Sequence, residues 1–451
     1  MRYEEYKDIG LPWYPNGIPS HWKVLRHKNV LTEHKEYVGD KSANYTLLSL
    51  TLNGVIIRDL SEGKGKFSKD YDKYVVVNEG DFVFCLFDVD ETPRTVGLSS
   101  HHGMITGAYD VFTPHGINSD YFFYYYLTLD NAKALKPLYS GLRKVIPFPS
   151  FMANKFPVPP REEQDQIVRY LDWKVSRINK LIHGYQRQIK LLEERRVTEI
   201  DQVLTHGIRP DRELIITTAA WMGKVPVEWM PYRMKHLFCE VNVRSLDGSE
   251  PHLTMSQKWG LITDDMVTEK RLVSENYIGA KVCEKDDLVL NRLKAHLGVF
   301  ALAPCTGVVS PDYTVLRLNT KRILPKFAEY LLKSNACRGE LRTRVRGIVE
   351  GFWRLYTEDL GAIPVCLPSL DEQHEILQSI ISLENRYKLL ISNVEMQISL
   401  LREYRTRLIS DVVTGQMDVR NIVIPEYTPE NGTISDEIED IEGEEVSENA
   451  D

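Results

Sequence analysis

No apolar run approaches the ~20 residues that a bilayer-spanning helix needs. The densest aromatic stretch, YFFYYYL at 121–127, is far too short. The opening MRYEEYKDIG lacks the basic-then-apolar pattern of a secretory leader, so a cytoplasmic location is expected. Cysteine is sparse and scattered: Cys85, Cys239, Cys283, Cys305, Cys337 and Cys366 form no C-x-x-C, which points to reduced structural thiols and away from a disulfide frame or a zinc site. Catalytic signatures are missing as well. There is no H-E-x-x-H, no G-x-S-x-G, no Walker loop and no DExx helicase pattern, and GKG at 63–65 is only a loop fragment. The adjacent His101 and His102 have no second ligand cluster at metal-binding spacing, and they read as loop histidines. No catalytic, cofactor-binding or metal residues are assigned.

What the chain does have is length and a hidden charge asymmetry. A chain of 451 residues exceeds one ordinary core, and 43% hydrophobic with 27% charged residues is a globular composition. The net charge of −8 is concentrated at one end: Pro425–Asp451 holds eleven acidic residues and no Lys or Arg, so residues 1–424 carry +3. The segment SDEIEDIEGEEVSEN repels itself and is poor in core formers, so disorder is expected, as a solubilising tail or as an electrostatic mimic of nucleic acid.

The strongest signal is self-similarity. GIPSHWKVLRHKNVL from Gly17 returns as GKVPVEWMPYRMKHLF from Gly223, with P-x-x-W in both (Pro19/Trp22, Pro226/Trp229) at an offset of 207. GDFVFCLF (80–87) returns as DDLVLNRL (286–293), and HGMITGAYDVF (102–112) as TGVVSPDYTVL (306–316). PPREEQDQI returns as PSLDEQHEI, and LLEERRVTEIDQVLTHG (191–207) as LLREYRTRLISDVVTG (400–415). Five blocks in one order at a nearly constant offset define a tandem duplication. The stretch IRDLSEGKGKFSKDYDKY (57–74) has no good match in TDDMVTEKRLVSENYIGA (263–280), so the two copies share a frame and differ within it.

Each copy opens with short β-like runs and ends in one long helix. Apolar positions recur at Ile167, Leu171, Val175, Ile178, Ile182, Tyr185, Ile189 and Leu192, and again at Ile376, Ile380, Leu383, Tyr387, Leu390, Val394, Ile398, Leu401, Tyr404 and Leu408. This alternation of four and three is a coiled-coil seam. Gly207 and Gly415 stand where glycine caps end helices. Ser369 and Glu372 form an S-x-x-E capping box, and the first copy places Pro160 at the start instead, as a first-turn proline. A helix of about 45 residues is about 65–70 Å long, longer than a compact domain needs. The fold expected is α+β: two globular α/β heads and two long helices paired antiparallel, related by a pseudo-twofold.

Two heads on a rod suit a duplex, whose turns repeat every ~34 Å. Cationic side chains in loop contexts are the candidates for phosphate and guanine contacts: Arg94, Arg143, Lys144, Arg292, Lys294, Arg342, Arg344, Arg346 and Arg354.

These blocks resemble the specificity subunit of type I restriction–modification systems, the HsdS family. The resemblance rests on GIPSHW and GKVPVEW, on GDFVFCLFDVDETPRTVGLSS and DDLVLNRLKAHLGVFALAPCTGVVSPDYTVLRL, on the P-x-x-x-E-Q-x-x-I starts at Pro159 and Pro368, and on the long helices; it extends to about Arg420. It implies target-recognition domains at 1–159 and 208–368, spacer helices at 160–207 and 369–415, and a C-terminal segment at 416–451. It further implies a bacterial or archaeal, non-catalytic DNA-recognition subunit. Each recognition domain would read one half of an asymmetric bipartite double-stranded DNA target. The helices would set the gap and dock two methyltransferase subunits, with restriction and translocation subunits joining them. S-adenosylmethionine, ATP and Mg would belong to those partners, with none in this chain. Two alternatives share the same residues: the specificity module of a type IIB/IIG-like modification system, and a stand-alone DNA-binding protein.

Overall fold

The computed structural model describes residues 2–11, 13–52, 54–58, 71–140, 144–256, 259–263, 277–294, 297–347 and 353–428. The chain divides into two units, Met1–Gln186 with Glu395–Asp451, and Arg187–Val394.

In the first unit a four-stranded antiparallel sheet runs in the order Leu31–Glu33, Asp110–Pro114, Phe82–Phe84, Val96–Leu98. Phe82 faces Phe112 across the central pair, which puts aromatic rings opposite one another on the sheet. Helix α1 (Ser119–Asn131) starts where the Asn118 side chain accepts the Tyr121 N–H at 3.0 Å. The aromatic stretch that it carries is core: Tyr121, Phe122, Tyr124, Tyr125 and Tyr126 are all buried. Helix α2 (Phe148–Ala153) adds Phe151, whose ring lies 5.0 Å from Phe84. The strand pair Lys23–Arg26 and Lys155–Val158 then leads the chain into α3 (Arg161–His206).

The second unit repeats the plan. Its sheet order is Phe238–Val241, Tyr313–Leu318, Leu288–Asn291, Phe300–Leu302. Helices α4 (Pro325–Lys333), α5 (Asn335–Arg344) and α6 (Thr357–Ala362) share a leucine-rich core that includes Leu288, Leu290, Leu316, Phe327 and Leu331. The pair Met230–Arg233 and Pro364–Leu367 leads into α7 (Leu370–Val413).

Within each unit the two long helices pair antiparallel. In the first unit Asn179 of α3 meets Arg405 of α7 at 2.7 Å, while Gln166, earlier in α3, donates to the carbonyls of Val419 and Ile422 beyond α7. In the second unit Glu199 meets Arg386 at 3.4 Å and Arg209 meets Glu375 at 3.3 Å. Most seam positions read from the sequence are buried or half-buried. Leu390 and Tyr404 are exposed instead. At the latter place the buried residue is Arg405, held in the seam by its bond to Asn179.

The repeated motifs meet in one place in each unit. In the first, the buried carboxylate of Glu163 accepts Trp22 Nε1–H at 2.9 Å and the Tyr3 hydroxyl, with His21 at 2.8 Å. In the second, Glu372 accepts Trp229 Nε1–H at 3.4 Å and a two-pronged contact from Arg212. The neighbouring glutamine ties helix to head: Gln164 accepts the Asn118 N–H and donates to Pro159 O, and Gln373 does the same with Leu324 and Pro368. The third motif closes the junction. Gly415 (φ +72°) ends α7 against Pro19, where a Cβ would lie 2.4 Å from the ring, and Gly207 (φ +74°) ends α3 beside Trp229 and Glu372. The capping box is therefore half formed. Ser369 Oγ accepts the Glu372 N–H at 3.3 Å, but the Glu372 carboxylate is taken by Trp229 and Arg212. Pro160 stands just before the first turn of α3, and its carbonyl accepts from Glu163 and Gln164.

Two predictions follow from this packing. The His27 ring is fully buried, Nδ1 lies 2.6 Å from Phe151 O, and Nε2 pairs with the Tyr126 hydroxyl. Burial lowers its pKa from 6.5 to about 3. As pH falls below about 6.5 the unfolded chain takes up a proton that the folded one refuses, so stability drops, by about 2 kcal/mol at about pH 5, and the loss is complete near pH 3. The second head carries Met234 and Leu332 at the matching positions. The double change His27→Met, Tyr126→Leu should flatten this acid loss in urea titrations run at several pH values. Secondly, Glu372→Gln breaks a buried pair with Arg212 and should cost about 3–5 kcal/mol; a urea midpoint within error of wild type would show that the junction is not structural.

Candidate nucleic-acid interface

The nine cations singled out in the sequence separate into distinct environments. Arg94 is a correction. It is 8% exposed and reaches Asp130 at 3.2 Å and Asn131 at 3.3 Å, while Thr95 also bonds Asp130. It clamps α1 to the sheet and does not face solvent. Arg143 lies outside the described residues. Lys144 is on the surface but engaged by Asp90 (3.5 Å) and Glu91. The Glu91 carboxylate raises the Lys144 pKa, and the Tyr139 hydroxyl helps hold Asp90 down to about 2.

In the second head the candidates gather. The loop after strand Leu288–Asn291 carries Arg292 and Lys294. Arg292 O accepts the Leu355 N–H at 3.1 Å, which docks Leu355 on this loop. Arg346 and Arg354 exchange both backbone hydrogen bonds, at 2.9 and 2.8 Å, and so stand side by side. Arg346 also pairs with Asp359 and lies 6.0 Å from the Tyr356 ring centroid. On α5, Arg344 is bonded to Glu340, and Arg342 is exposed with no ion pair among the described residues. Gly298 brings the loop's far side against α5: its φ is +79°, and a Cβ there would meet the Arg338 side chain at 2.7 Å.

The first head builds the same corner from the same backbone bonds. Ile146 N–H donates to Leu86 O at 2.7 Å, matching Leu355 on Arg292. What differs is charge. The first corner balances Lys136 and Lys144 against Asp90 and Glu91, while the second collects arginines.

Sequence reasoning passed over two further cations, Arg244 and Lys281. They form a β-bridge with each other beside Arg292. Lys281 is 4% exposed at the side chain, and its ammonium donates to Tyr313 O at 2.6 Å. Desolvation lowers its pKa, and Arg292 adds to that. The signal was in the repeat: the strand Val75–Val77 is VVV in the first head, and the second writes KVC at Lys281–Cys283.

Among the described residues no group of three or more His, Cys, Asp or Glu could hold a metal, and no helix is long and apolar enough to cross a membrane. His102 is hydrogen-bonded to Asn78 at 3.0 Å and packs beside Tyr45.

Residues 105–191 match the type I restriction modification DNA specificity domain. The chain is 23% identical to the type I restriction enzyme MjaVIII specificity subunit of Methanocaldococcus jannaschii, over 90% of this chain and 95% of that protein. A chain from a structural study of complex assembly and conformational transition of the type I R–M system superposes with a TM-score of 0.56 at 14% identity, covering 89% of this chain and all of that one. The HsdS subunit from Thermoanaerobacter tengcongensis gives a TM-score of 0.47 at 14% identity, covering 89% and 99%. Residues 105–191 thus match a type I DNA specificity domain, and the chain as a whole is similar in sequence to a type I specificity subunit and in fold to a chain of a type I R–M system.

Proposed function

We propose that each head reads one half of an asymmetric, interrupted double-stranded DNA target. In this reading α3 and α7 set the gap between the halves and offer the docking surface for two methyltransferase subunits. Restriction and translocation subunits join that core. S-adenosylmethionine, ATP and Mg are bound by the partners, in the cytoplasm of a bacterial or archaeal cell. The partner that methylates adenine must draw its target base out of the stack, and the specificity subunit supplies the address.

The observation that carries this reading is the pair of matching corners: one backbone frame built twice, with unlike side chains presented on it. A shared frame holds two heads to the duplex in the same way, and unlike faces read unlike sequences. Arg292, Lys294, Arg342, Arg346 and Arg354 are the candidate contacts of the second head. In the first head Lys144 is the described candidate, and Arg143 belongs to the same segment. Docking on the helices would use their exposed apolar side chains, Leu191 (64%), Leu389 (63%), Met396 (60%) and Leu400 (58%).

Co-expression with the methyltransferase encoded beside this chain, followed by genome-wide mapping of methylated adenines, tests the reading directly. A split motif with two different halves is expected. A palindromic or uninterrupted motif would refute it. The ruler is tested separately by inserting four residues into α7. The helix lengthens by about 6 Å and its seam changes phase, so the mapped gap should change by one to about two base pairs. An unchanged gap would assign the spacing to some other element.

A further inference from the structure

Three positions in the heads are structurally equivalent and chemically opposite. In the first head Tyr37 bridges Val75, Val38 N–H donates to Tyr74 O, and Leu86 O accepts from Ile146. In the second head Arg244 bridges Lys281, Ser245 N–H donates to Ala280 O, and Arg292 O accepts from Leu355. The backbone bonds correspond one for one. Tyr37, Val75 and Leu86 have become Arg244, Lys281 and Arg292.

A strand position buried as valine in one copy and as lysine in the other asks for an explanation. An interior ammonium is costly unless something offsets it. Lys281 sits in the small sheet formed by Lys281–Cys283 and Gly307–Val309, and it donates to Tyr313 O. Arg292 Nε–H donates at 2.9 Å to the carbonyl of the preceding residue, Asp312. Two cations thus hang from successive carbonyls. Arg244 is fixed beside them by its own bonds to Gly279 O (2.8 Å) and Asn242 Oδ1 (3.2 Å). The carboxylates facing the group are Asp312 and Glu240. Glu240 stands 3.9 Å from the ammonium and has its other oxygen bonded to the Thr357 hydroxyl at 2.6 Å. Three cations against two carboxylates leave a positive corner. Arg244 is exposed and Arg292 partly exposed, while Lys281 is shut behind them.

We propose that Arg244 and Arg292 grip one backbone phosphate of the DNA, with the buried Lys281 as a positioning residue whose charge raises the local field behind them. This rests on the DNA reading given above and adds to it an anion site present in the second head alone. At the matching place the first head presents the exposed ring of Tyr37, with Val75 and Leu86 buried. A phosphate clamp carries no sequence information; it fixes register and strengthens the electrostatic component of binding.

The test is fluorescence anisotropy of a mixed-sequence duplex with the full chain in complex with its methyltransferase subunits, between about 50 and 200 mM salt. Arg244→Gln and Arg292→Gln should each reduce the slope of log affinity against log salt by about 1. Lys281→Val, which restores the first head's residue, should weaken binding about 5-fold to 10-fold at low salt for all duplexes alike, with an unchanged or raised melting temperature because a buried charge is gone. An unchanged slope in both arginine variants overturns the clamp. So does a Lys281→Val protein that melts lower and binds as well as wild type, since the lysine would then be a packing residue. A variant that loses discrimination at particular bases would make this a base-reading site and overturn the phosphate assignment. A wild-type complex that binds no duplex would instead refute the DNA reading as a whole.

Discussion

The fold depends on a carboxylate buried at the first turn of each long helix. Glu163 and Glu372 are 5% and 6% exposed, and a buried carboxylate is tolerated only where donors surround it. Each collects an indole N–H from its head, and each stands beside a glutamine that holds the end of the entry strand and the start of the head's first helix to the same turn. Moving either carboxylate would strand donors on both sides. The rest of the head is therefore referenced to the helix start, and the glycine that ends the other helix fills the remaining space, where no Cβ fits.

The two junctions satisfy that demand differently. Glu372 takes a guanidinium from Arg212, five residues beyond its glycine cap. The residue at the same distance beyond Gly415 is Arg420, but it pairs with Asp418 and lies 4.9 Å from the Tyr3 ring centroid, while the Tyr3 hydroxyl makes the bond to Glu163. The same geometric need is met once by charge and once by a neutral phenol. The heads show the same freedom where Tyr37, Val75 and Leu86 exchange with Arg244, Lys281 and Arg292 while the backbone bonds stay constant. Duplication conserved the frame and released the side chains that do not hold it.

What could be read from the sequence follows this division. The seam, the glycine caps and the repeated blocks were legible because periodicity and repetition are local or countable. That the blocks touch was not legible: Trp22 and Glu163 are 141 residues apart, and no spacing rule connects an indole to a carboxylate at that distance. The cations were legible as a class but not by address. Arg94 looked like a loop arginine because its partner Asp130 lies 36 residues away, inside a helix. Lys281 was illegible for the opposite reason, since it lies in an apolar strand and not in an arginine-rich loop. Only alignment of the two copies exposes it. Tyr404 fitted the seam by spacing, but the position that enters it is Arg405, which bonds to Asn179.

The exchange of helix halves sets an order on the birth of the chain. The second unit, Arg187–Val394, is contiguous, whereas the first needs Glu395 onward as well. At ribosomal speeds of ~5–20 residues per second, the roughly 200 residues between the end of α3 and the end of α7 take about 10–40 s to appear. For that interval Asn179 of α3 lacks Arg405 of α7, its partner in the finished unit, and Trp22 waits without Gly415 beside it. The first head to be made is the last to be completed, and its exposed seam during that wait is the kind of surface on which chaperones act.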